Sequence, residues 1–575
     1  MAEIVRIGVC SPRVSVADPD ANAREIIRLT EEAERQEADL LVFPELCLTG
    51  ATCGDLFKSA VLLKGAEDAL EAVKKATRGK KTTVVVGLPR QYKGKILNVT
   101  VVLRDGAELC AVPKNTLTIE EKRYFQVGKF QGEMPDICSL SLRVDWKARG
   151  AKNAAITVIP SATAYTVGEA KRKRALTLGC SKGGAAVYAC AGFGESTTDD
   201  VFSGYAAVCA NGNVLYENPP FAYNEIGICA FSLEEIKRAK VTAQKIKIDE
   251  TPITPNLPFL CEKAEYETIM RAVATGLASR MRAVKNEKLV LGVSGGLDST
   301  LALLTSLRAL DMLHLPHERL VAISMPCFGT SDKTKNSAAK LCELSGATAR
   351  EICIKESVTL HLKEIGHNGA HDSAYENAQA RMRTMVLMDT ANHEGGLVVG
   401  TGDLSEEALG WCTFGGDHFS NYNVNASIPK TLVKALVAYE AERLGGAWAE
   451  ILHTVLGTEI SPELLPPENG KIAQKTEEII GSYEMNDFFL YHAIFGGKPP
   501  EEVLRLAAEV FGGEADEYSQ PLARFYKRFF GAQFKRSCAP DGVSIGHSLS
   551  PRGSWRMPSD ASVALWLKQT EAVKE

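Results

Sequence analysis

Apolar and polar positions alternate along the first 237 residues in a way that predicts strands and helices in succession. The stretch opens with a strand pattern in "IVRIGVC", a helical pattern in "NAREIIRLTEEAERQEA" and a second strand in "DLLVFPEL". Two later segments, "VTVVLRDGAELCAV" and "YAAVCANGNVLYE", contain Asp-Gly and Asn-Gly pairs, which favour tight antiparallel turns. This part of the chain is therefore predicted to be a mixed α/β structure with antiparallel strands.

A different pattern begins at residue 263, where a long amphipathic helix leads into "KLVLGVSGGLDSTLALLTSLRAL", a strand, a glycine-rich turn and a helix. Strand and helix segments then alternate as far as "GGLVVGTG", which predicts a parallel sheet with helices on both faces. Residues 238–262 combine charge, three prolines and no sustained period, as is typical of a linker. The predicted domains are therefore 1–237 and 263–575, joined by this linker.

Composition excludes several classes of protein. A chain of 575 residues is too long for one hydrophobic core, and 45% hydrophobic with 24% charged residues is typical of globular proteins. A net charge of −5 gives no support for nucleic-acid binding, and the basic run "EAKRKR" at 169–174 is interpreted as a solvated helix face. No apolar segment approaches the roughly 20 residues of a membrane helix. Fifteen cysteines without a CxxC pair predict reduced thiols in a cytoplasmic protein.

The strongest chemical signal is "SGGLDST" at 294–300. Gly295 and Gly296 permit a close turn after the strand, and the helix that follows presents free N–H groups and its positive dipole end to an anion. Asp298 is placed to hold a magnesium ion between phosphates. Further hydroxyl donors are Ser294, Ser299 and Thr300. The alternative, a glycine turn without a ligand, is disfavoured because the motif stands in the required strand, turn and helix context.

This loop resembles the pyrophosphate-binding loop of ATP pyrophosphatases, enzymes that activate a carboxylate or carbonyl oxygen as an adenylate. Residues 263–575 are similar to NAD synthetases in "SMPCFGTSDKT", "YENAQARMRT", "GTGDLSEEALGWCTFGGDHFSNYNVNASIPKTLV" and "QFKRSCAPDGVSIGHSLSPRGSWRMPSDAS". The resemblance implies a Rossmann-like ATP-pyrophosphatase domain whose substrates are ATP and deamido-NAD and whose metal is Mg²⁺. The ATP-binding residues implied are Ser294, Gly295, Gly296, Leu297, Asp298, Ser299, Thr300, Arg383 and Thr401.

The same resemblance implies contacts of deamido-NAD with Asn377, Glu406, Trp411 and Lys535, of which Lys535 would close the site. Asp298 and Glu406 are the implied magnesium ligands. Taken singly, each residue has a structural alternative: Asn377 as a helix cap, Trp411 as core and Lys535 as surface. Charge neutralisation and alignment would supply most of the catalysis, after which ammonia attacks the adenylate.

Residues 1–237 resemble the nitrilase-type glutaminase domain, an α-β-β-α sandwich that uses a glutamate, a lysine and a cysteine. "VFPELCLTG" supplies Glu45 as the base, and "AVPKN" supplies Lys114 as the group that stabilises the oxyanion. NAD synthetases of this length usually carry such a domain. The chain is therefore identified as a member of the glutamine-dependent NAD synthetases, which form large homo-oligomers.

The nucleophile of that domain has no clear match. Alignment of Trp146 with the family tryptophan puts the cysteine position near Leu142 or Arg143, in an interval that is short. Cys138 is the only thiol between Lys114 and Ala154, and its place early in a strand favours packing over catalysis. Moreover, Glu169 stands where the family has Lys or Arg near the glutamine carboxylate, so a like charge opposes substrate binding.

We therefore expect an enzyme that adenylates and amidates deamido-NAD. The architecture implies glutamine as nitrogen donor, but the altered site leads us to hypothesise that ammonia is the effective donor. One alternative is another amidating or thiolating enzyme with this loop, such as a GMP-synthetase-like or tRNA-thiolating protein. In a further interpretation, the N-terminal domain serves oligomer assembly. This last interpretation is compatible with NAD synthesis.

Overall fold

The architecture comes from a computed structural model that describes residues 4–129, 131–138, 140–147, 156–232, 234, 254–461, 464–465 and 476–571. The chain divides into two compact units. The first comprises Met1–Ser196 and Val201–Asp249, and the second comprises Thr197–Asp200 and Glu250–Glu575. Most of the predicted linker, residues 238–253, lies outside the described residues. Its described remainder, 254–262, contains turns without a helix or strand.

The first unit contains a seven-stranded and a six-stranded sheet, ordered β13-β1-β2-β3-β4-β5-β6 and β12-β11-β10-β9-β8-β7. Their strands are β1 Ile4–Cys10, β2 Leu40–Val42, β3 Thr83–Tyr92, β4 Lys95–Arg104, β5 Ala107–Pro113, β6 Gln131–Gly132, β7 Asp136–Ile137, β8 Leu140–Val144, β9 Ile156–Ser161, β10 Ala185–Cys190, β11 Ala206–Ala210, β12 Asn213–Glu217 and β13 Ile226–Ser232. Strands β1, β2 and β3 are parallel, as are β8, β9 and β10.

Alternating side chains divide the first unit into layers. One face of each sheet contributes to a shared apolar core that includes Val5, Val85, Val158 and Val187. The outer face of the seven-stranded sheet packs against helices α1 (Pro19–Arg35) and α2 (Ala60–Ala76), and the outer face of the six-stranded sheet packs against α3 (Glu169–Cys180). These are the four layers of the predicted α-β-β-α sandwich.

The two predicted hairpins are confirmed, because β4 pairs antiparallel with β5 and β11 with β12. Asp105 and Gly106 at the first turn, and Asn211 and Gly212 at the second, all have positive φ. That conformation is the one which selects Asp-Gly and Asn-Gly for tight turns.

The second unit is built on a five-stranded sheet ordered β16-β15-β14-β17-β18, and all its neighbouring strands are parallel. The strands are β14 Leu289–Gly292, β15 Leu320–Ser324, β16 Thr348–Glu351, β17 Leu397–Gly400 and β18 Tyr422–Asn423. The strand order reverses beside β14, at the point where open parallel sheets usually bind ligands. The prediction of a parallel sheet with intervening helices is confirmed.

Helices of the second unit surround this sheet and form an additional cluster. They are α4 Lys263–Ala283, α5 Leu297–Met312, α6 Asp332–Ser345, α7 Lys355–Glu364, α8 Ser373–Glu394, α9 Leu404–Leu409, α10 Lys430–Leu444, α11 Gly446–Leu456, α12 Thr476–Ile480, α13 Tyr483–Phe489, α14 Pro500–Phe511, α15 Ser519–Gly531, α16 Gln533–Arg536 and α17 Ala564–Glu571. An aromatic core in the last part of the chain, with Phe488 and Phe525, also contacts Leu404 and Ala408 of α9. This packing fixes α9 at the sheet. Among the described residues, no helix combines the length and apolar character that a bilayer crossing requires.

Candidate functional site

The predicted phosphate loop, residues 294–300, follows β14 and leads into α5. Gly295 has φ +84°, and a Cβ added there would lie 2.3 Å from the backbone oxygen of Thr334. Glycine is therefore required at this turn. The Oγ atoms of Ser294 and Ser299 lie 3.0 Å apart, and the Gly296 N–H donates to Ser294 Oγ at 3.1 Å. The loop is thus held in place before a ligand arrives.

A cavity of about 320 Å³ opens in front of this loop. The residues predicted to bind substrate that line it are Ser294, Gly296, Leu297, Asp298, Ser299, Arg383, Thr401, Glu406 and Trp411. The structure therefore brings residues from β14, α5, α8 and the end of β17 to one pocket. The pocket therefore lies beside β14, where the strand order reverses.

Lys430, at the start of α10, lies at the centre of the charged groups in this site. Its Nζ is 2.6 Å from Asp298 Oδ2, 2.9 Å from Asp403 Oδ2 and 3.0 Å from Glu406 Oε1. The lysine side chain has no exposed surface. A buried ammonium among three carboxylates compensates charges that would otherwise repel one another at low dielectric.

The pKa values of these groups reflect that arrangement. Burial lowers the pKa of Lys430, but Asp298, Asp403 and Glu406 outweigh it and leave the pKa well above its usual value. Burial raises the pKa of Glu406 to about 7, although Lys430 opposes the rise. Each of the three carboxylates offers an oxygen within 4.8 Å of the others, so the donor set suits a hard divalent cation.

A second layer of hydrogen bonds holds the strand ends and helix starts around Lys430. Asp487 of α13 is fully buried and accepts hydrogen bonds from Ser405 Oγ, from Thr431 N at 3.0 Å and from Thr431 Oγ1 at 2.7 Å. Ser405 Oγ also accepts from the Lys430 N–H at 2.8 Å. Asp487 thereby joins the segment that carries Glu406 to the start of α10.

Two residues predicted to contact deamido-NAD, Asn377 and Lys535, are not among the residues that line this cavity. Asn377 Oδ1 accepts a hydrogen bond from Thr413 Oγ1 at 3.0 Å, and Thr413 lines the cavity. Lys535 Nζ donates to the carbonyls of Gly410 at 2.8 Å and Cys412 at 2.6 Å, on either side of Trp411. Lys535 thus holds the loop that presents Trp411. It also lines a small neighbouring cavity of about 40 Å³.

The first unit brings Glu45 and Lys114 together as predicted. Lys114 Nζ lies 2.7 Å from Glu45 Oε1, which also accepts a hydrogen bond from Asn98 Nδ2 at 2.5 Å. The same Nζ lies 2.7 Å from Glu121 Oε1. Burial raises the pKa of Glu45, and Lys114 offsets part of the rise. Burial lowers the pKa of Lys114, but the two carboxylates leave it raised.

Gly87 of β3 makes room for the turn that carries Glu45. A Cβ at this glycine would lie 2.4 Å from the Leu46 nitrogen and 2.9 Å from the Pro44 oxygen. Leu46 itself has φ +54°. The turn therefore lies directly on the β3 backbone, and this close approach aims the Glu45 side chain at Lys114.

The strand that should end in the nucleophile is β8. Trp146, just beyond its end, places its ring 5.6 Å from Lys114 Nζ. Leu142, at the predicted cysteine position, packs into the core between the sheets, and Arg143 is exposed. Cys138 precedes the strand in a turn with φ +46° and packs against the same core. The two ends of β8 lie about 13 Å apart. Cys138 is therefore at the end of the strand remote from Trp146.

The basic run at 169–174 is only partly a solvated face. Lys173 and Glu169 are 5% and 4% exposed, and Lys173 Nζ lies 2.8 Å from Glu169 Oε2. Ser203 Oγ also donates a hydrogen bond to Glu169. The interpretation of the whole run as solvated is therefore wrong, because one face of α3 packs on the six-stranded sheet. At this position Glu169 is engaged in an internal ion pair.

Sequence reasoning did not identify Lys430, Asp403 or Asp487. Lys430 and Asp403 lie inside a motif that was recognised, and the proline before Lys430 marks the start of an apolar helix. That pairing of a proline with a lysine at a helix start was a usable signal. No local pattern marks Asp487, since its partners belong to other elements.

Comparison with family models agrees with both units. The NAD synthase family matches residues 269–511, and the carbon-nitrogen hydrolase family matches residues 6–134. The second match ends before β8 begins. The positions considered for the nucleophile, Cys138, Leu142 and Arg143, thus lie outside it.

Curated relatives extend over almost the whole chain. The glutamine-dependent NAD(+) synthetase of Mycobacterium leprae (strain TN) is 32% identical over 664 aligned residues, covering 99% of this chain and 98% of the relative. That of Mycobacterium tuberculosis (strain ATCC 25618 / H37Rv) is 33% identical with the same coverage. The alignments are longer than the 575 residues of this chain. The relatives therefore contain segments without a counterpart here.

Solved structures share the fold. A glutamine-dependent NAD(+) synthetase from Cytophaga hutchinsonii matches with a TM-score of 0.81 at 18% identity, covering 99% of this chain and 100% of that one. The enzyme from Acinetobacter baumannii in complex with ADP matches with a TM-score of 0.69 at 22% identity, covering 93% and 94%. These findings leave the GMP-synthetase-like interpretation without support. With its phosphate-loop pocket and relatives of matching extent, this chain belongs to the glutamine-dependent NAD(+) synthetases, a family of C–N ligases.

Proposed function

We propose that the second unit adenylates deamido-NAD with ATP and amidates the adenylate to NAD. The observation that carries this proposal is that the phosphate loop, including Asp298, lines one pocket with Glu406, and that the buried Lys430 lies behind these two carboxylates. The nicotinate carboxylate attacks the α-phosphorus of ATP and pyrophosphate leaves. Ammonia then attacks the adenylate carbonyl, and AMP leaves. The loop N–H groups and the hydroxyls of Ser294 and Ser299 hold the phosphates during the first step.

Asp298 and Glu406 are the magnesium ligands in this proposal. Asp403 is engaged on both oxygens, because Oδ1 accepts the Glu406 N–H at 2.7 Å and Oδ2 pairs with Lys430. The bound ion would neutralise phosphate charge and favour departure of pyrophosphate. Arg383 and Thr401 complete the ATP side, while Trp411 and the loop held by Lys535 form the deamido-NAD side. Asn377 supports that side through Thr413.

Ammonia, in this proposal, supplies the nitrogen more effectively than glutamine. Lys114 Nζ is shared by two carboxylates and faces an aromatic ring, and the nearby strand end carries Trp146. An oxyanion would have to compete with Glu45 and Glu121 for that ammonium. Glu169 and Lys173 form a closed ion pair, which leaves no net positive charge there for a glutamine carboxylate. The first unit would then keep its scaffold for assembly.

The test is a comparison of nitrogen donors with the full chain. NAD formation from deamido-NAD, ATP and Mg²⁺ is measured with ammonium chloride and with glutamine freed of ammonium. Ammonium should give saturable turnover, whereas glutamine should give only the rate of its residual ammonium. D298N should abolish turnover with either donor, because it removes one ligand and one partner of Lys430. Glutamine-driven turnover at low ammonium that C138A abolishes would overturn the choice of donor.

A homo-oligomeric assembly in the cytoplasm completes the proposal. The family resemblance supports the oligomer, and fifteen cysteines without a CxxC pair support a reducing compartment. Sedimentation of the full chain should give a mass that is a multiple of 62.2 kDa. A single species at the mass of one chain would contradict the oligomer.

A further inference from the structure

A buried cluster of three reactive groups lies on the outer face of the six-stranded sheet. Cys190 ends β10, and Lys173 of α3 places its Nζ 3.3 Å from Cys190 Sγ. Glu169, one turn earlier in α3, places Oε2 2.8 Å from the same Nζ. Cys190 has no exposed surface, and the side chains of Lys173 and Glu169 are 7% and 5% exposed. A thiol, an amine and a carboxylate therefore lie next to one another, in that order, inside the protein.

This cluster is separate from the Glu45 and Lys114 pair. Side chains alternate along β10, so Val187 and Ala189 face the core between the sheets. Tyr188 and Cys190 face the opposite way and pack with Cys180 of α3. The Cys190 thiol thus points into the helix layer and away from the space that a glutaminase nucleophile would occupy.

Aromatic and charged groups enclose the Lys173 side chain beside the thiol. Lys173 Nζ lies 6.0 Å from the ring centres of Tyr188 and Tyr205, so the amine stands in a small aromatic enclosure. Burial lowers the pKa of Lys173, but Cys190 and Glu169 outweigh it and leave that pKa raised. Because Lys173 Nζ lies 3.3 Å from Cys190 Sγ, a sulfur atom oxidised by peroxide would form directly beside that nitrogen.

We propose that Lys173 and Cys190 form a redox modification site, in which hydrogen peroxide oxidises the thiol and the lysine captures the product through an N–S bond. In the first step the Cys190 sulfur attacks one peroxide oxygen. The O–O bond breaks, an S–O bond forms, and the thiol proton passes to the second oxygen, which leaves as water. Sulfur is oxidised by two electrons to a sulfenic acid, and peroxide is reduced by two.

In the second step Glu169 takes a proton from the Lys173 ammonium. The free amine attacks sulfur, so the N–S bond forms while the S–O bond breaks. The departing hydroxide receives the proton that Glu169 holds and leaves as water, and the nitrogen of the new N–S bond then passes its surplus proton to Glu169. The sulfenamide needs no further oxidant, and two equivalents of an added thiol return the amine and the thiol with formation of a disulfide.

The experiment is peptide mapping of the full chain after graded treatment with hydrogen peroxide and blocking with iodoacetamide. The expected product joins the peptide that contains Lys173 to the one that contains Cys190. Its mass is about 2 Da below the sum of the two peptides, since the linkage removes two hydrogens. Dithiothreitol should abolish it. The exposed Cys353 reports when peroxide has reached an effective dose.

Two variants and one internal control define the outcome. K173R keeps the positive charge but replaces the amine, so Cys190 should stop at a sulfenic acid that dimedone traps. C190S should yield no joined peptide. Cys209 is equally without exposed surface on neighbouring β11 and should remain a thiol. Cys190 that is still alkylated when Cys353 is fully oxidised, or that reaches sulfinic acid unbridged, would overturn the proposal. A joined product with a mass about 14 Da above the sum of the two peptides would contain an added oxygen and would also overturn the proposal.

Discussion

Lys430 Nζ lies 2.6 Å from Asp298 Oδ2, although the two residues are 132 positions apart in the chain. The contact ties the start of α10 to the phosphate loop, and the lysine has no exposed surface. One buried cation therefore sets the electrostatics of the site before substrates bind. It also holds Asp298 and Glu406 where a magnesium ion is proposed to lie.

Replacement of Lys430 should expose the repulsion among its partners. K430M leaves three carboxylates within 4.8 Å of one another without their ammonium. Loss of one partner of a buried ion pair costs about 3–5 kcal/mol, so the variant should melt at a clearly lower temperature. Added Mg²⁺ should raise its melting temperature more than that of the original chain, because the unpaired carboxylates gain affinity for a cation.

The matched control for this variant is K434M, which removes an exposed lysine from the same helix. It should melt and respond to Mg²⁺ like the original chain, as expected for a surface charge. Equal stabilisation of K430M and K434M by Mg²⁺ would contradict the role of Lys430 as the internal cation.

Lys535 should affect the binding of one substrate more than the other. K535M removes two hydrogen bonds to the carbonyls that flank Trp411. Charged hydrogen bonds contribute about 1.5–3 kcal/mol, so a loosened loop should raise the KM for deamido-NAD about tenfold or more. The KM for ATP should change little, because among the described residues no hydrogen bond joins Lys535 to the phosphate loop.

Steady-state kinetics with each substrate varied in turn provide the measurement. K527M, which changes an exposed lysine on α15, serves as the control. Equal increases in both KM values for K535M would indicate general damage to the pocket and would count against a specific role of the loop.

Asp487 should make stability depend on pH in a defined window. Burial raises its pKa to about 6 in the folded protein, from an ordinary value of 3.8. Folding thus favours the protonated form, and the stabilisation is complete below the unfolded pKa and is lost as pH rises through the folded one. Between pH 7.5 and pH 5 the original chain should gain about 1–1.5 kcal/mol relative to D487N.

Melting temperatures of both proteins across this range test the prediction. The difference between the original chain and D487N should shift by about 1–2 °C in favour of the original chain at pH 5. The amide of D487N does not titrate, so its own hydrogen-bond mismatch is the same at each pH. A constant difference between the two proteins would show that Asp487 keeps an ordinary pKa.

Gly87 should tolerate no side chain. In G87A the added Cβ meets backbone atoms of Leu46 and Pro44, which cannot rotate away. The turn that carries Glu45 must then shift, at a cost of about 1–3 kcal/mol. Thermal melting should show the loss. In the control G65A, within α2, the new Cβ meets only Pro19 at 3.5 Å. Alanine is favoured over glycine in a helix by about 1 kcal/mol, so G65A should be neutral or stabilising.

Much of the fold follows from local patterns in the sequence. The Asp-Gly and Asn-Gly turns depend on the backbone preferences of two residues, and both hairpins form where they were predicted. The strand, glycine turn and helix at 289–312 depend on an equally short stretch, and so do the positions of Glu45 and Lys114 after their strands. Such features could be predicted because the interactions that produce them act over a few residues.

The sequence by itself determined the two α/β domains, the phosphate loop and the family. Only the tertiary structure decided which side chains meet. It placed Lys430 among three carboxylates, one on α5 and two at the start of α9, put Trp146 beside Lys114, and turned Lys173 inward to Cys190. The physical reason is that burial and charge pairing depend on how helices pack on sheets, and residues far apart in the chain decide that packing. A run of charges such as "EAKRKR" is usually solvated, and only the packing of α3 shows which of its members are not.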